Sequence, residues 1–166
     1  MKATGEIITF VHSSADCVEM LVTLPASGEG PPAHRHVLQS EKFEAIKGRL
    51  GLDCGDSKIV LEPGQSFTVP VNTFHRCYAV GGEEANFKAS FSPGLSIEYL
   101  LTEMFAASNR KNAKEPSPFD ACYILRQAKG EYYLKDFPLF IQQSLFPLIA
   151  MMGNLFGLVK ANPNRK

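Results

Sequence analysis

The stretch PPAHRHVLQSEKFEAIKG, Pro31 to Gly48, places two histidines one residue apart and a glutamate five residues after the second. Residues two apart on a strand point to the same side, so His34 and His36 present both imidazoles to one space while Arg35 faces away. A four-residue turn follows. From Glu41 onward the charged Lys42 and Glu44 alternate with Phe43 and Ala45, which makes Glu41, Phe43 and Ala45 the inward set. A carboxylate on the core side of a strand is costly unless a cation or hydrogen bonds accompany it. The plain alternative is a set of polar residues on a surface loop after Pro31 and Pro32, and the rest of the chain must decide between the two.

The same alternation recurs on both sides of this stretch. VEMLVTL puts Val18, Met20, Val22 and Leu24 on one face; RLGLDCG does so with Leu50, Leu52 and Cys54, and ANFKASF with Phe87, Ala89 and Phe91. Turn formers separate these runs in CGDS, EPGQ and VGGEE. Many short alternating runs punctuated by turns predict an antiparallel sandwich or barrel. A third histidine arrives in SFTVPVNTFHRCYAV, where SFTVP reads as a strand and His75, Cys77 and Ala79 share one face of the next. Three of the chain's four histidines and one glutamate on an apolar face can then converge as a set of ligands for a divalent transition metal. The fourth, His12, has no partner in the pattern and reads as a surface histidine.

After Pro93 the period changes. Ile97, Leu100, Leu101, Met104 and Phe105 form one apolar stripe of a helix with Ser96 as its cap, and SPFD starts a second in which Ser117 caps, Pro118 fits the first turn and Asp120 returns a hydrogen bond. A polar linker, SNRKNAKEPS, separates the two, and Gly130 ends the second. The expected organisation is a β-barrel over residues 1–94, with its motif core at 28–79, and a helical extension over 95–166.

The run from Phe137 to Val159 has 23 residues without a charge, long enough to span a bilayer, and Lys160, Arg165 and Lys166 follow it. Gln142, Gln143, Asn154, Pro147, Gly153 and Gly157 inside the run argue against membrane association. A kinked apolar helix is favoured instead, with Phe140, Leu145, Ile149, Leu155 and Phe156 covered by the barrel or by a partner in a homodimer.

Composition narrows the function. The 166 residues suit one domain with a core, and 17 basic side chains balance 17 acidic ones, so no overall field points to nucleic acid. Residues 1–100 carry 8 basic and 12 acidic groups and residues 101–166 carry 9 and 5, which suggests a separate second layer. Cys17, Cys54, Cys77 and Cys122 lack any C-x-x-C spacing, and MKATGEIITF lacks the apolar stretch of a signal peptide. A reducing, cytoplasmic setting is the expectation, with each cysteine a small buried hydrophobe.

At the histidine residues the chain resembles the cupin superfamily. The first family motif, G-x5-H-x-H-x3,4-E-x6-G, is met by Gly28, His34, His36, Glu41 and Gly48; the second, G-x5-P-x-G-x2-H-x3-N, is met by Gly64, Pro70 and His75. Asn72 replaces the middle glycine and Ala79 the final asparagine, which bears on the turn and the pocket's polarity more than on the metal histidine. The resemblance implies an antiparallel jelly-roll barrel followed by two or three helices, with His34, His36, Glu41 and His75 as ligands of one ion of iron, manganese, nickel, copper or zinc. Met20, Val22, Phe43, Phe67, Val69, Phe87 and Phe91, with Cys77 beside His75, are the expected pocket. Phe74, next to His75, either walls that pocket or packs in the core.

Three imidazoles and one carboxylate leave positions open on a six-coordinate ion, and an apolar pocket with one polar focus suits a small aromatic or enolic substrate with an oxygen donor. The first expectation is therefore a metal-dependent enzyme of the dioxygenase-like type. A second is a binding or sensing module without turnover, favoured by the lack of another carboxylate or histidine on the inward face. An isomerase, metal-dependent or metal-free, is the weakest reading, because such chemistry wants a base not committed to a metal.

Overall fold

A computed structural model describes residues 1–128 and 130–162. The strands are β1 (Ile7–Ser13), β2 (Val18–Leu24), β3 (His34–His36), β4 (Ser40–Lys47), β5 (Arg49–Cys54), β6 (Ser57–Leu61), β7 (Ser66–Val69), β8 (His75–Val80) and β9 (Ala85–Ser92). The helices α1 (Ile97–Lys111) and α2 (Pro118–Gln127) follow, then strand β10 (Tyr132–Leu134) and helix α3 (Leu139–Leu155). Two five-stranded antiparallel sheets result, ordered β1-β2-β9-β4-β7 and β10-β3-β8-β5-β6. This is the antiparallel barrel that the alternating runs imply and the jelly roll that the family resemblance implies, with three helices after β9.

Register explains why the core sits between the sheets. Phe43 opposes Ala89, Ala89 opposes Met20, Ala45 opposes Phe87 and Phe87 opposes Val22. Residues directly opposite on antiparallel strands share a face, so these side chains form one continuous apolar surface, which Leu50, Leu52 and Cys77 meet from the other sheet. Fully burying a side chain of this size contributes about 1.5–3 kcal/mol, which makes the alternation enough to fix which face turns inward.

Two turns show why the motif residues matter. Gly48 has φ +67°, and a Cβ there would lie 2.1 Å from the Glu84 carbonyl oxygen. Asn72, where the family motif has glycine, takes φ +62° and donates its N–H to the His36 carbonyl at 2.6 Å. Asparagine is among the few residues that tolerate this conformation, so the departure preserves the turn.

The second half of the chain differs from expectation in three places. The division at residue 94 marks where strands give way to helices but not a structural boundary, because β10 returns from the helical segment and pairs with β3. Helix α1 continues to Lys111, so the polar linker is shorter than SNRKNAKEPS. Ser96 stands at the cap position of α1 without a side-chain capping bond, its hydroxyl donating to Glu131 instead. At α2 the Ser117 hydroxyl accepts the Asp120 N–H as expected and itself donates to the Asp120 carboxylate.

The apolar tail forms helix α3, which its own chain covers on one face only. Helix α3 packs through Gln142, Phe146, Ala150 and Gly153, with Gly153 pressed against Phe119 of α2. Of the five residues expected to be covered, Ile149 is half-buried while Phe140, Leu145, Leu155 and Phe156 are exposed. An all-round apolar helix can turn only one face to its own chain, and here the small residues Ala150 and Gly153 give the closest approach. Among the described residues, no helix is long and apolar enough to cross a membrane.

Candidate metal centre

His34, His36, Glu41 and His75 converge, with one donor atom from each lying within 4.8 Å of all the others. The topology does this directly. His34 and His75 are paired partners on β3 and β8 in one sheet, and the turn Val37–Gln39 carries the chain across to β4, where Glu41 faces them from the other sheet. All four are buried.

Each imidazole is held by a carbonyl oxygen at its outer nitrogen. His34 Nδ1 lies 2.8 Å from the Pro32 carbonyl, His75 Nδ1 lies 2.9 Å from that of Thr73, and His36 Nδ1 lies 3.2 Å from Gln39 Oε1. The Gln39 amide has only one sensible orientation, since its Nε2 donates to the Pro93 and Gly94 carbonyls at 2.8 and 2.7 Å. Three acceptors therefore require three Nδ1–H donors, which turns every Nε2 lone pair toward the centre. There His34 Nε2 and His36 Nε2 stand 3.2 Å apart, and His75 Nε2 is 2.7 Å from Glu41 Oε2. Facing lone pairs repel unless a proton or a cation lies between them, so the donor set fits a divalent ion of the imidazole-binding kind.

The electrostatics agree with that fit. Burial pushes the Glu41 carboxyl up, but hydrogen bonds and charge from His36 and His75 outweigh it and hold the group well below the ordinary carboxylate range. Burial and then the neighbouring imidazoles push His34 well down. For His75, burial acts downward, but the Glu41 carboxylate prevails and raises it. Burial pushes the Cys77 thiol well up, which keeps it protonated and makes it a poor metal ligand.

The cluster opens onto a cleft of about 1430 Å³ that Met20, Val22, Phe43, Cys77, Phe87 and Phe91 help to line. Two expected pocket residues do not reach it: Val69 is in the hydrophobic core and Phe67 packs against that core, both on the edge strand β7. Phe74 lies under the Arg35 guanidinium, 4.9 Å from ring centroid to Cζ. His12 is exposed, hydrogen-bonded to Ser14.

Three residues of the site are invisible to a reading of the motifs. Gln39 sits in the turn and is only 2 % exposed, although a polar turn residue gives no sign of burial. Tyr132 on β10 stacks on His34 at 4.5 Å and meets His36 edge-on at 5.4 Å. Its only advance signal is a pair of tyrosines, strand formers, after Gly130. Glu6 lines the same cleft at 6 % exposure, and burial pushes its carboxyl up to about 7.

Residues 20–92 match the family described as Cupin domain. The chain carries a cupin domain. Solved structures of similar fold include KdgF from Halomonas sp., at 22 % identity and a TM-score of 0.50 over 54 % of this chain and 81 % of that one. Another is a sugar phosphate isomerase of the cupin superfamily from Silicibacter pomeroyi, at 18 % identity and a TM-score of 0.50 over 55 % and 61 % of the two chains. Among curated proteins, 48 residues are 42 % identical to oxidoreductase OpS7 from Beauveria bassiana, a stretch that makes up 28 % of this chain and 16 % of that protein. The match thus spans about one sixth of that relative's length.

Proposed function

We propose that this cupin is a metal-dependent enzyme of the oxygenase type, acting on an aromatic or enolic substrate whose oxygen donor reaches the His34–His36–Glu41–His75 cluster. The observation that carries the reading is the placement of all three imidazoles, each Nδ1 beside a carbonyl oxygen and each Nε2 turned to one point beside Glu41. A redox-active transition metal, when bound, supplies Lewis acidity and one-electron chemistry. The chain's own residues do the rest. Phe43, Phe87 and Phe91 keep the inner wall apolar, Tyr132 orients His34 by stacking, and Glu6 offers a carboxyl able to hold or accept a proton near neutral pH. Glu6 adds a carboxylate to the cleft lining, which weakens the argument for a binding module that the lack of a second carboxylate or histidine on the inward face supported. The short likeness to a protein named an oxidoreductase points the same way.

Elemental analysis of the purified protein, beside a His34→Ala, His75→Ala double variant, tests the site. About one equivalent of iron, manganese, nickel or copper, lost in the variant, is the expected result, followed by oxygen uptake with phenolic or enolic compounds. Zinc alone, or no metal in either protein after reloading, would overturn the oxygenase reading.

We also propose that the outer face of α3 pairs with a second copy. Phe140, Leu148, Met151, Met152 and Leu155 are exposed there, Leu155 at 77 %. Clustered on one face of a single helix, these side chains make a contiguous apolar strip of the kind that marks an interaction site. Sedimentation velocity should give a dimer that Leu148→Glu converts to monomer. A monomeric wild type, or one that sediments with lipid vesicles instead, would refute it.

A further inference from the structure

The cleft is larger than a one-ring substrate needs. At about 1430 Å³ it exceeds the roughly 300–1,000 Å³ of ordinary small-molecule pockets, and the barrel interior is only its inner end. Its outer part lies between the barrel mouth and the helices, which pack on one another more than on the strands. The helical layer is tied to the barrel at a few places. β10 pairs with β3, Glu131 accepts from Ser96, and the Lys2 N–H donates to Asn109 of α1 at 2.7 Å.

The lining of this outer part is apolar and elongated. On α1, Ile97, Leu101, Met104 and Phe105 face the cleft down to Ser108, a span of about 16 Å at the helical rise of 1.5 Å per residue. Leu125 of α2 and Ile141, Phe146 and Ile149 of α3 close the other side. Leu101, Met104, Phe105, Ile141 and Ile149 are only partly buried, so the protein leaves their apolar surface facing open space. Lys114, Glu115, Lys135 and Asp136, which also border the cleft, are exposed. An elongated apolar groove that begins at a polar, metal-binding focus is the shape of an amphiphile's site.

We propose that the groove between the barrel mouth and α1–α3 binds the hydrocarbon body of an amphiphilic ligand, an alkyl chain or row of fused rings of about 16 Å, whose oxygen-bearing head lies at the histidine cluster. This rests on the metal-site reading for the head group only; the groove stands on its own lining. It makes the helical layer part of the ligand site and gives the barrel's C-terminal extension a role in choosing substrate.

The test is a series of catechols bearing a methyl, hexyl or dodecyl chain at the ring's 4-position, titrated by calorimetry into the metal-loaded protein while the metal's absorption spectrum is followed. Affinity should rise by up to about fourfold for each methylene that enters the groove, and level off once the groove is filled. Leu101→Trp and, separately, Met104→Trp should erase the gain with chain length while leaving metal content and methylcatechol affinity unchanged. Circular dichroism identifies a variant that fails to fold, and the other then serves. Flat affinity along the series in the wild type would overturn the groove, as would an undiminished gain in both folded variants. A spectrum that none of the catechols shifts, together with a normal chain-length gain, would refute the head-group placement and leave the groove standing.

Discussion

Glu6→Gln should stabilise the protein increasingly as pH rises above 4.5, and in full above neutral pH. The carboxyl is 6 % exposed, and burial raises its pKa from 4.5 to about 7 even though the positive amino terminus acts in the opposite direction. In the folded state the group therefore keeps its proton between these two values while the unfolded chain releases it. Folding takes up a proton across this window, so the group's contribution to stability falls as pH rises from 4.5 to about 7 and is unfavourable above it. The separation corresponds to about 3 kcal/mol at pH 8, of which glutamine, never charged, is spared. At pH 4 both side chains are neutral and the difference should vanish. Urea unfolding of both proteins at pH 4 and pH 8 measures it, and a carbon-detected NMR titration of Glu6 should place its midpoint near neutrality. An equal difference at the two pH values, or a midpoint near that of a free glutamate, would refute the reasoning.

Gln39→Ala removes the acceptor that holds His36 Nδ1, and such outer partners are worth about 10–100-fold in metal affinity, to be read by competition with a chelator. Metal affinity should fall on acidification, because the proton held on His75 by Glu41 competes with the ion; since that pKa is raised above 6.5, the decline begins above the ordinary histidine range. Affinity independent of pH between 5 and 8 would contradict this. At the turns, Asn72→Gly should be nearly neutral, whereas Asn72→Val forces a β-branched side chain to φ +62° and should cost about 1–3 kcal/mol in thermal unfolding. Gly48→Ala should cost at least as much, given the Glu84 carbonyl in its path.

Strands β4 and β8 could be read in advance because each alternates with one face apolar, so the side on which Glu41 and His75 fall follows from their neighbours, whereas the three-residue β3 was legible only through the two-residue spacing of His34 and His36 and the motif around them. Strand β1 alternates too, with Ile8 and Phe10 against the core, but it lies at a sheet edge and its exposed face carries Ile7 and Val11, so both faces read as apolar and the alternation is hidden in the sequence. Strand β10 is three residues long, too short for any period. Its identity comes from pairing with β3, a partner nearly a hundred residues earlier, and long-range pairing leaves no trace in a local pattern. Glu6 and Gln39 escaped for a related reason. A single polar residue outside a strand gives no sign of its burial, which depends on chain segments far away: the Pro93 and Gly94 carbonyls for Gln39 and the cleft wall for Glu6. Phe67 and Val69 were misplaced by the opposite error. Their inward direction was legible, but how far along the barrel the cleft extends was not.

Tyr132 connects the two halves of the argument. It pairs with His36 through the backbone and stacks on His34 through its ring, yet it reaches the barrel only because α2 ends, Gly130 turns the chain at φ +77°, and three residues fit the open edge of β3. The Leu134 backbone is in turn held from α3, since Gln142 both donates to its carbonyl at 2.8 Å and accepts its N–H at 2.9 Å. A shift of the helical layer would therefore move the strand that lies against two of the histidines. The residues that roof the groove and the residues that orient the imidazoles are parts of one packed unit, so a ligand that fills the groove would bear on the geometry of the metal centre through Gln142 and Tyr132 as well as through its own head group.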